Sequence, residues 1–292
     1  MRIFQKGFNF SQDGPGNRLV IHLQGCNLRC PWCANPEGLE VQGTICVDPQ
    51  WLTPELCAHG AVQEKDGHYV LERSVCRFCQ DRECITRKRS KGIYFSCKEY
   101  TPDEVVKEIE KSRMMFYDGG GVTFTGGECT MQFEELKQVL TEVHDRGINT
   151  AIETNGMHVR LPELFPVIDE LIMDCKSTDD EKHKAVIGAG NEVIQANLRA
   201  AAKQHPSVHI RVPLIGGFNN SPEDIENFIN FFKEISGSNV SFEVLRYHEY
   251  GKKKWSECGW TYPMTAKARV SKEEVRAFEM KIREAGLQYE NT

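Results

Sequence analysis

Three cysteines fall within eight residues in the run Cys26-Asn27-Leu28-Arg29-Cys30-Pro31-Trp32-Cys33. Thiolates at this spacing can converge on one metal centre from one face of a loop. A structural zinc site asks for four ligands, and the run supplies three with no histidine among them. A cubane iron–sulfur cluster held by three thiolates would leave one iron open to a small molecule. A zinc knuckle with a distant fourth ligand, or three buried thiols, are the readings that spacing alone leaves beside it. Nine of the twelve cysteines lie between residues 26 and 97, while Cys129, Cys175 and Cys258 are scattered. Nothing in the opening MRIFQKGFNF resembles an export signal, so clustered thiols in a reducing compartment point to metal rather than disulfides.

The elements that must position this run follow an alternating rhythm. Strands are predicted at Leu19–Gln24, Val122–Thr125, Asn149–Glu153, Glu170–Asp174, Val208–Leu214 and Val240–Leu245. Helices fit between them. One opens at Thr101-Pro102-Asp103-Glu104 with a cap, a Pro at the first position and an acid at the third, and others cover Phe133–Arg146, Pro222–Ile235 and Ser271–Glu284. About six βα units imply an α/β fold with a parallel sheet, open or curled into a partial barrel. In such folds chemistry collects at the carboxyl ends of strands. Gly25-Cys26, Gly126-Gly127-Glu128, Thr154-Asn155-Gly156, Asp174-Cys175-Lys176 and Tyr247-His248 all fall there. Residues 37 to 100 interrupt the rhythm and read as a polar, cysteine-bearing insertion.

Composition narrows the class. The 292 residues are 40% hydrophobic and 27% charged, enough apolar side chain for a sizeable core. A net charge of −6 argues against wrapping nucleic acid. No stretch approaches 18 consecutive apolar residues, so a cytoplasmic chain with no membrane span is expected.

CxxxCxxC after a first strand, with an aromatic before the last Cys, resembles the radical S-adenosylmethionine (radical SAM) superfamily. Asp13-Gly14-Pro15-Gly16 upstream narrows the likeness, as do GGGVTFTGGE at 119–128, ETNG at 153–156, DCK at 174–176, the Lys184…Gly188…Asn191…Asn197 pattern, RVPLIGGFN at 211–219 and YHEYGKKKW at 247–255. Together they are similar to glycyl radical enzyme activating enzymes of the pyruvate formate-lyase activase type. The resemblance implies a partial (β/α)6 barrel built from residues 1–36 and 101–292, with residues 37–100 inserted as a ferredoxin-like or degenerate auxiliary metal subdomain. It implies a [4Fe–4S] cluster on Cys26, Cys30 and Cys33 whose open iron is chelated by S-adenosylmethionine. Gly126, Gly127 and Glu128 would hold the methionine amino group, since glycines allow close backbone approach and a carboxylate meets an ammonium. Lys176 and His248 match positions at the methionine end, and Trp32 would lie near the adenine. Glu153, Thr154 and Asp174 match a monovalent cation site, although Glu153 stands where the pyruvate formate-lyase activase type reads Asp. Asp13 to Gly16 match a loop that touches the glycine-bearing partner, and Ala34-Asn35 departs from the His-Asn of that type.

The insertion offers Cys46, Cys57, Cys76-x-x-Cys79-x4-Cys84 and Cys97, with no Cys-Pro. Six thiols cannot fill two four-thiolate clusters. One auxiliary [4Fe–4S] cluster on Cys76, Cys79 and Cys84 is expected, with Cys97, then Cys57, then Cys46 as fourth ligand; zinc suits four thiolates equally. The basic runs Arg87-Lys88-Arg89 and Lys252-Lys253-Lys254 read as solvated faces, or as docking points for an acidic flavodoxin or ferredoxin. The expected activity is reductive cleavage of S-adenosylmethionine and hydrogen abstraction from a partner's backbone glycine, by a monomer. A radical enzyme acting on a small molecule or another peptide, and a non-catalytic iron–sulfur or zinc protein, are the alternatives.

Overall fold

The structure, a computed structural model, describes residues 1–10, 12–76, 78–86 and 90–291. The basic run Arg87-Lys88-Arg89 lies outside them.

The chain opens with a hairpin, β1 (Arg2–Phe10) and β2 (Asn17–Leu23). It then leaves the sheet for the short elements β3 (Ile45–Val47), β4 (Val62–Lys65), β5 (His68–Leu71), α1 (Arg73–Cys76), α2 (Glu83–Thr86) and β6 (Ile93–Phe95). It returns through β7 (Lys98–Glu99) and α3 (Pro102–Lys111). Alternation follows: β8 (Gly121–Gly126), α4 (Phe133–Asp145), β9 (Asn149–Thr154), β10 (Glu170–Asp174), α5 (Asp180–Ile187), α6 (Glu192–Gln204), β11 (Val208–Leu214), α7 (Pro222–Ile235) and β12 (Val240–Arg246). Two last helices, α8 (Lys252–Glu257) and α9 (Lys272–Glu284), complete it.

Eight strands form one sheet in the order β12-β11-β10-β9-β8-β2-β1-β7. The six from β2 to β12 run parallel. They are buried almost continuously because helices cover the sheet, as parallel strands require. The helix starts follow the sequence signals. Thr101 and Glu104, Ser221 and Asp224, and Ser271 and Glu274 each form reciprocal caps at α3, α7 and α9. The antiparallel β1 was not anticipated. Its alternation is broken where the pairing register shifts between Ile3 and Gln5.

Between β2 and α3 the chain forms two two-stranded sheets, β3 with β6 and β4 with β5. Val47, Leu52, Val62 and Ile93 are their own small core. Four apolar side chains are too few to hold such a segment unaided, so it asks for a staple.

The main core lies between the sheet and its helices. Phe232 on α7 is fully buried and stacks on Phe242 of β12 with ring centroids 4.3 Å apart. Phe232→Ala is expected to cost about 3–5 kcal/mol, read as a lowered denaturant midpoint in anaerobic urea unfolding.

Candidate active site

At the carboxyl ends of the parallel strands lies a cavity of about 260 Å³. Cys26, Cys30 and Cys33 line it together with Trp32, Gly126, Gly127, Glu128, Glu153, Thr154, Asp174, Lys176 and His248. Residues from five separate stretches of sequence therefore meet because each follows a strand.

The cysteine loop is held by backbone bonds rather than by packing alone. Gly25 N donates to Gly38 O at 2.8 Å and Cys26 N to Leu39 O at 3.1 Å. Trp255, on α8, donates its indole Nε1–H to the carbonyl of Cys33 at 2.9 Å. Burial pushes the thiols of Cys26 and Cys33 up to about 12 and raises that of Cys30. Metal binding there must displace protons. A tetrahedral zinc would draw its thiolates to about 3.8 Å of one another. The three thiols supply three of the four ligands that a structural zinc asks for, and as many as a cubane with one open iron takes.

Glu128 lines the cavity and its carboxylate accepts a set of hydrogen bonds. Oε1 accepts from Thr130 N (3.0 Å), Thr130 Oγ1 (2.5 Å) and Thr154 Oγ1 (2.7 Å), and Oε2 accepts from Asn155 N (2.7 Å). With 2% of the residue exposed, it anchors the Thr154-Asn155 turn to the Gly126-Gly127 turn. The backbone of Gly126 and Gly127 lines the cavity beside it. Asn155 in turn donates to Asn27 Oδ1 at 2.8 Å, linking that turn to the cysteine loop.

Lys176 is buried and donates to Asp174 Oδ2 at 2.5 Å. Burial opposes its charge, but Asp174 and the nearby thiols outweigh that and raise its pKa, so it stays cationic. Trp32 packs against Phe218 with centroids 4.9 Å apart, giving the cavity an aromatic wall. His248 stacks on Tyr250 at 4.1 Å, and burial lowers its pKa.

The oxygens of Glu153, Thr154 and Asp174, expected at a cation site, all line the cavity and hydrogen-bond to side chains around it. Glu153 Oε1 pairs with Arg211 Nη1 at 2.9 Å and Oε2 accepts from Thr125 Oγ1 at 2.8 Å. Thr154 is committed to Glu128 and Asp174 to Lys176. Arg211, 5% exposed, also reaches Glu243 at 2.9 Å. Arg211 also lines a second cavity, of about 470 Å³, which opens at the amino ends of the strands. Gly14 and Pro15 line that second cavity, while Asp13 holds Thr123 Oγ1 through its carbonyl at 2.6 Å. The Asp13–Gly16 loop therefore lies across the barrel from the cysteines, with the Arg211–Glu153 pair between them.

In the inserted segment Cys57, Cys76, Cys79 and Cys84 line one small cavity. The fourth thiol there is Cys57, not Cys97. Cys97 lies instead against Gly43, its Sγ 2.9 Å from where a side-chain carbon on that glycine would stand. In the lysine run Lys252 and Lys253 are exposed, and two of the three lysines have acidic partners. Lys253 pairs with Glu257 at 3.2 Å, and Lys254 reaches Glu37 at 2.6 Å and Asn35 Oδ1 at 2.8 Å.

Sequence reasoning passed over Asn155, Arg211, Asn219 and Trp255 as site residues. Asn219 donates to the carbonyls of Lys176 (2.9 Å) and Pro213 (2.8 Å). Asn191 and Asn197 clamp Ser177 O and Gly156 O in the same way. The signal was present in the recurring asparagines of the quoted motifs. Each sits where a strand-end loop has carbonyls to satisfy.

A family model described as the radical SAM superfamily matches residues 73–232. The chain is 33% identical over 280 residues to the 4-hydroxyphenylacetate decarboxylase activating enzyme of Clostridioides difficile, covering 89% of this chain and 86% of that protein. It is 32% identical over 292 residues to the choline trimethylamine-lyase activating enzyme of Oleidesulfovibrio alaskensis, covering 93% and 91%. Among solved structures, Streptococcus suis SuiB bound to precursor peptide SuiA aligns with a TM-score of 0.54 at 12% identity, over 92% of this chain and 47% of that one, a likeness of fold alone. Among the described residues no helix is long and apolar enough to cross a membrane. With three thiols opening onto a strand-end cavity, and with relatives of this identity along nearly its whole length, the chain belongs to the radical SAM superfamily and, within it, to the glycyl radical enzyme activating enzymes.

Proposed function

We propose that Cys26, Cys30 and Cys33 hold a [4Fe–4S] cluster and that the cavity beside them binds S-adenosylmethionine. When bound, this pair supplies one electron and a 5′-deoxyadenosyl radical that takes a hydrogen from a backbone glycine of a partner enzyme. The observation that carries the reading is the convergence of three thiols, without a fourth, on the cavity that the Gly126-Gly127 turn also lines.

The chain's own residues position and shield. The backbone of Gly126 and Gly127 can approach the methionine amino group, with Glu128 fixing the turn from behind. Lys176, held by Asp174, presents a cation to a carboxylate. Trp32, backed by Phe218, offers an apolar face to the adenine, and His248 closes the side near β12. Arg211 and Glu153 form the floor.

We assign the second cysteine group, Cys57, Cys76, Cys79 and Cys84, to one auxiliary [4Fe–4S] cluster, so that residues 37–100 act as an inserted metal subdomain of a barrel formed by 1–36 and 101–292. Metal analysis of anaerobically purified protein is expected to give about eight irons per chain; about four irons with one zinc would show that the auxiliary centre is zinc. The partner is a large enzyme carrying a glycyl radical loop, of the class that includes decarboxylases and lyases, and the reductant is a flavodoxin or ferredoxin. The enzyme works as a cytoplasmic monomer.

The test is anaerobic. Strong reductant should drive cleavage of S-adenosylmethionine to methionine and 5′-deoxyadenosine, and Cys30→Ala should abolish it with the far-ultraviolet circular dichroism unchanged. A glycine-centred doublet in the electron paramagnetic resonance of the partner completes it. Cleavage without that doublet on any co-expressed glycyl radical enzyme would point to a different substrate.

A further inference from the structure

Cys46 and Cys258 belong to neither cysteine group, yet they meet. Their Sγ atoms are 3.7 Å apart across 212 residues of sequence, and each residue is 1% exposed. Cys46 lies on β3 of the inserted segment, and Cys258 follows α8.

The contact is built rather than incidental. Arg73 donates from Nη1 to Ile45 O at 2.8 Å and from Nη2 to Glu257 O at 3.0 Å. One guanidinium thus pins the backbone immediately before each cysteine. The residue after Cys258 is Gly259, at φ +79°, where a Cβ would fall on that guanidinium, 1.9 Å from its Nε. Only glycine leaves room for Arg73. Tyr94 Oη donates to Glu257 Oε2 at 3.2 Å and adds a further tie from the insert to the end of α8.

Two thiols do not make a metal site, and among the described residues neither joins a group of three ligands gathered within 4.8 Å. A disulfide requires the sulfurs at about 2.05 Å, so these two would have to approach by under about 2 Å.

We propose that Cys46 and Cys258 are a redox-active dithiol that closes into a disulfide when the protein meets hydrogen peroxide, fastening the inserted segment to α8. One thiol is oxidised to a sulfenic acid as the peroxide O–O bond breaks and one water leaves. The second thiol then attacks that sulfur, forming the S–S bond and releasing the second water. Two thiols and one peroxide thus give one disulfide and two waters.

The consequence falls on the cysteine loop of the active site. Trp255 of α8 holds Cys33 O, and Lys254 holds Asn35 and Glu37. A cross-link at Cys258 fixes the far end of the helix that supports them. Both thiols are buried, so peroxide reaches them through local opening at the end of α8, and the pair closes after more exposed thiols react.

The experiment uses the anaerobic, cluster-loaded protein titrated with hydrogen peroxide, quenched in acid with N-ethylmaleimide, and mapped by peptide mass spectrometry. The expected result is a linked pair of peptides containing Cys46 and Cys258, lighter by two hydrogens and absent in Cys46→Ser and Cys258→Ser. Hydrogen exchange over residues 251–258 should slow at least severalfold in the linked protein. Iron content and cleavage of S-adenosylmethionine before peroxide should match wild type in both variants. Full alkylation of Cys46 and Cys258 after every other thiol has reacted would overturn the proposal, as would a link from Cys258 to any other cysteine. Because the linked peptide is read on wild-type protein, poor folding of a variant does not remove the test.

Discussion

Gly127→Ala is expected to lower the rate of S-adenosylmethionine cleavage by about a hundredfold or more while the protein stays folded. A Cβ at this position would stand 2.4 Å from Gly25 O and 2.4 Å from Gly38 O. Both are backbone atoms, so no side chain can swing aside. Both are also in use: Gly25 O accepts from Glu128 N at 2.8 Å, and Gly38 O accepts from Gly25 N at 2.8 Å. The methyl group must therefore part the end of β8 from the loop that begins at Cys26. Relief of such an overlap takes several tenths of an ångström or more of backbone movement and costs about 1–3 kcal/mol. The displaced groups are the glycine turn and Cys26, whose relative position the proposed chemistry depends on. The three thiols remain, so reconstitution should still load iron at that site. Calorimetric titration with S-adenosylmethionine and single-turnover cleavage would show the loss. Cleavage within threefold of wild type would refute this account of the turn.

Much of the fold is written in the sequence where local rules and global packing agree. The strands β8 to β12 carry buried apolar runs, and the capped starts of α3 and α9 are explicit in Thr101 to Glu104 and Ser271 to Glu274. The positions at strand ends follow from topology, which is why Cys26, Gly126, Thr154, Asp174 and His248 can be grouped before any coordinates exist. What is not legible depends on distances between remote residues. Cys57 stands 19 residues before Cys76, a separation that says nothing of their meeting across a small cavity. Cys97 is nearer in sequence to Cys84 and yet is carried off by β6 and β7. The hydrogen bonds that the Glu128 carboxylate accepts from Thr130, Thr154 and Asn155 are also not legible, because a motif names residue types and not their partners. Arg211 gives no signal of its own, since within Arg211-Val212-Pro213-Leu214 it reads as one polar residue of an otherwise apolar strand. Its meaning appears only when β9 and β12 bring Glu153 and Glu243 to either side.

Arg211→Met is expected to destabilise the protein by about 3–5 kcal/mol near pH 8, and by less as the pH falls. The guanidinium sits between Glu153 at 2.9 Å and Glu243 at 2.9 Å and also donates to the carbonyl of Gln12. Methionine fills similar volume but removes the charge that compensates two buried carboxylates. Burial already raises the pKa of Glu153, and Arg211 is the main influence lowering it. Without Arg211 the folded-state pKa rises further above the unfolded value. A carboxyl group raised in this way stabilises the fold fully only below its unfolded pKa, and that contribution is lost as pH climbs through the folded pKa. The variant's penalty should thus be largest where both carboxylates must ionise and smallest where they accept protons. Urea unfolding at several pH values from about 8 to about 5 would show the gap to wild type narrowing. His209 Nε2, 3.1 Å from Glu243, retains part of the compensation on one side. Beside Glu153 stand the Thr125 hydroxyl at 2.8 Å and His22, whose pKa burial lowers so that it adds no charge, so Arg211→Met with Glu153→Gln should recover more stability than Arg211→Met with Glu243→Gln. A gap that stays constant across the pH range would mean that lost packing, and not uncompensated charge, explains the cost.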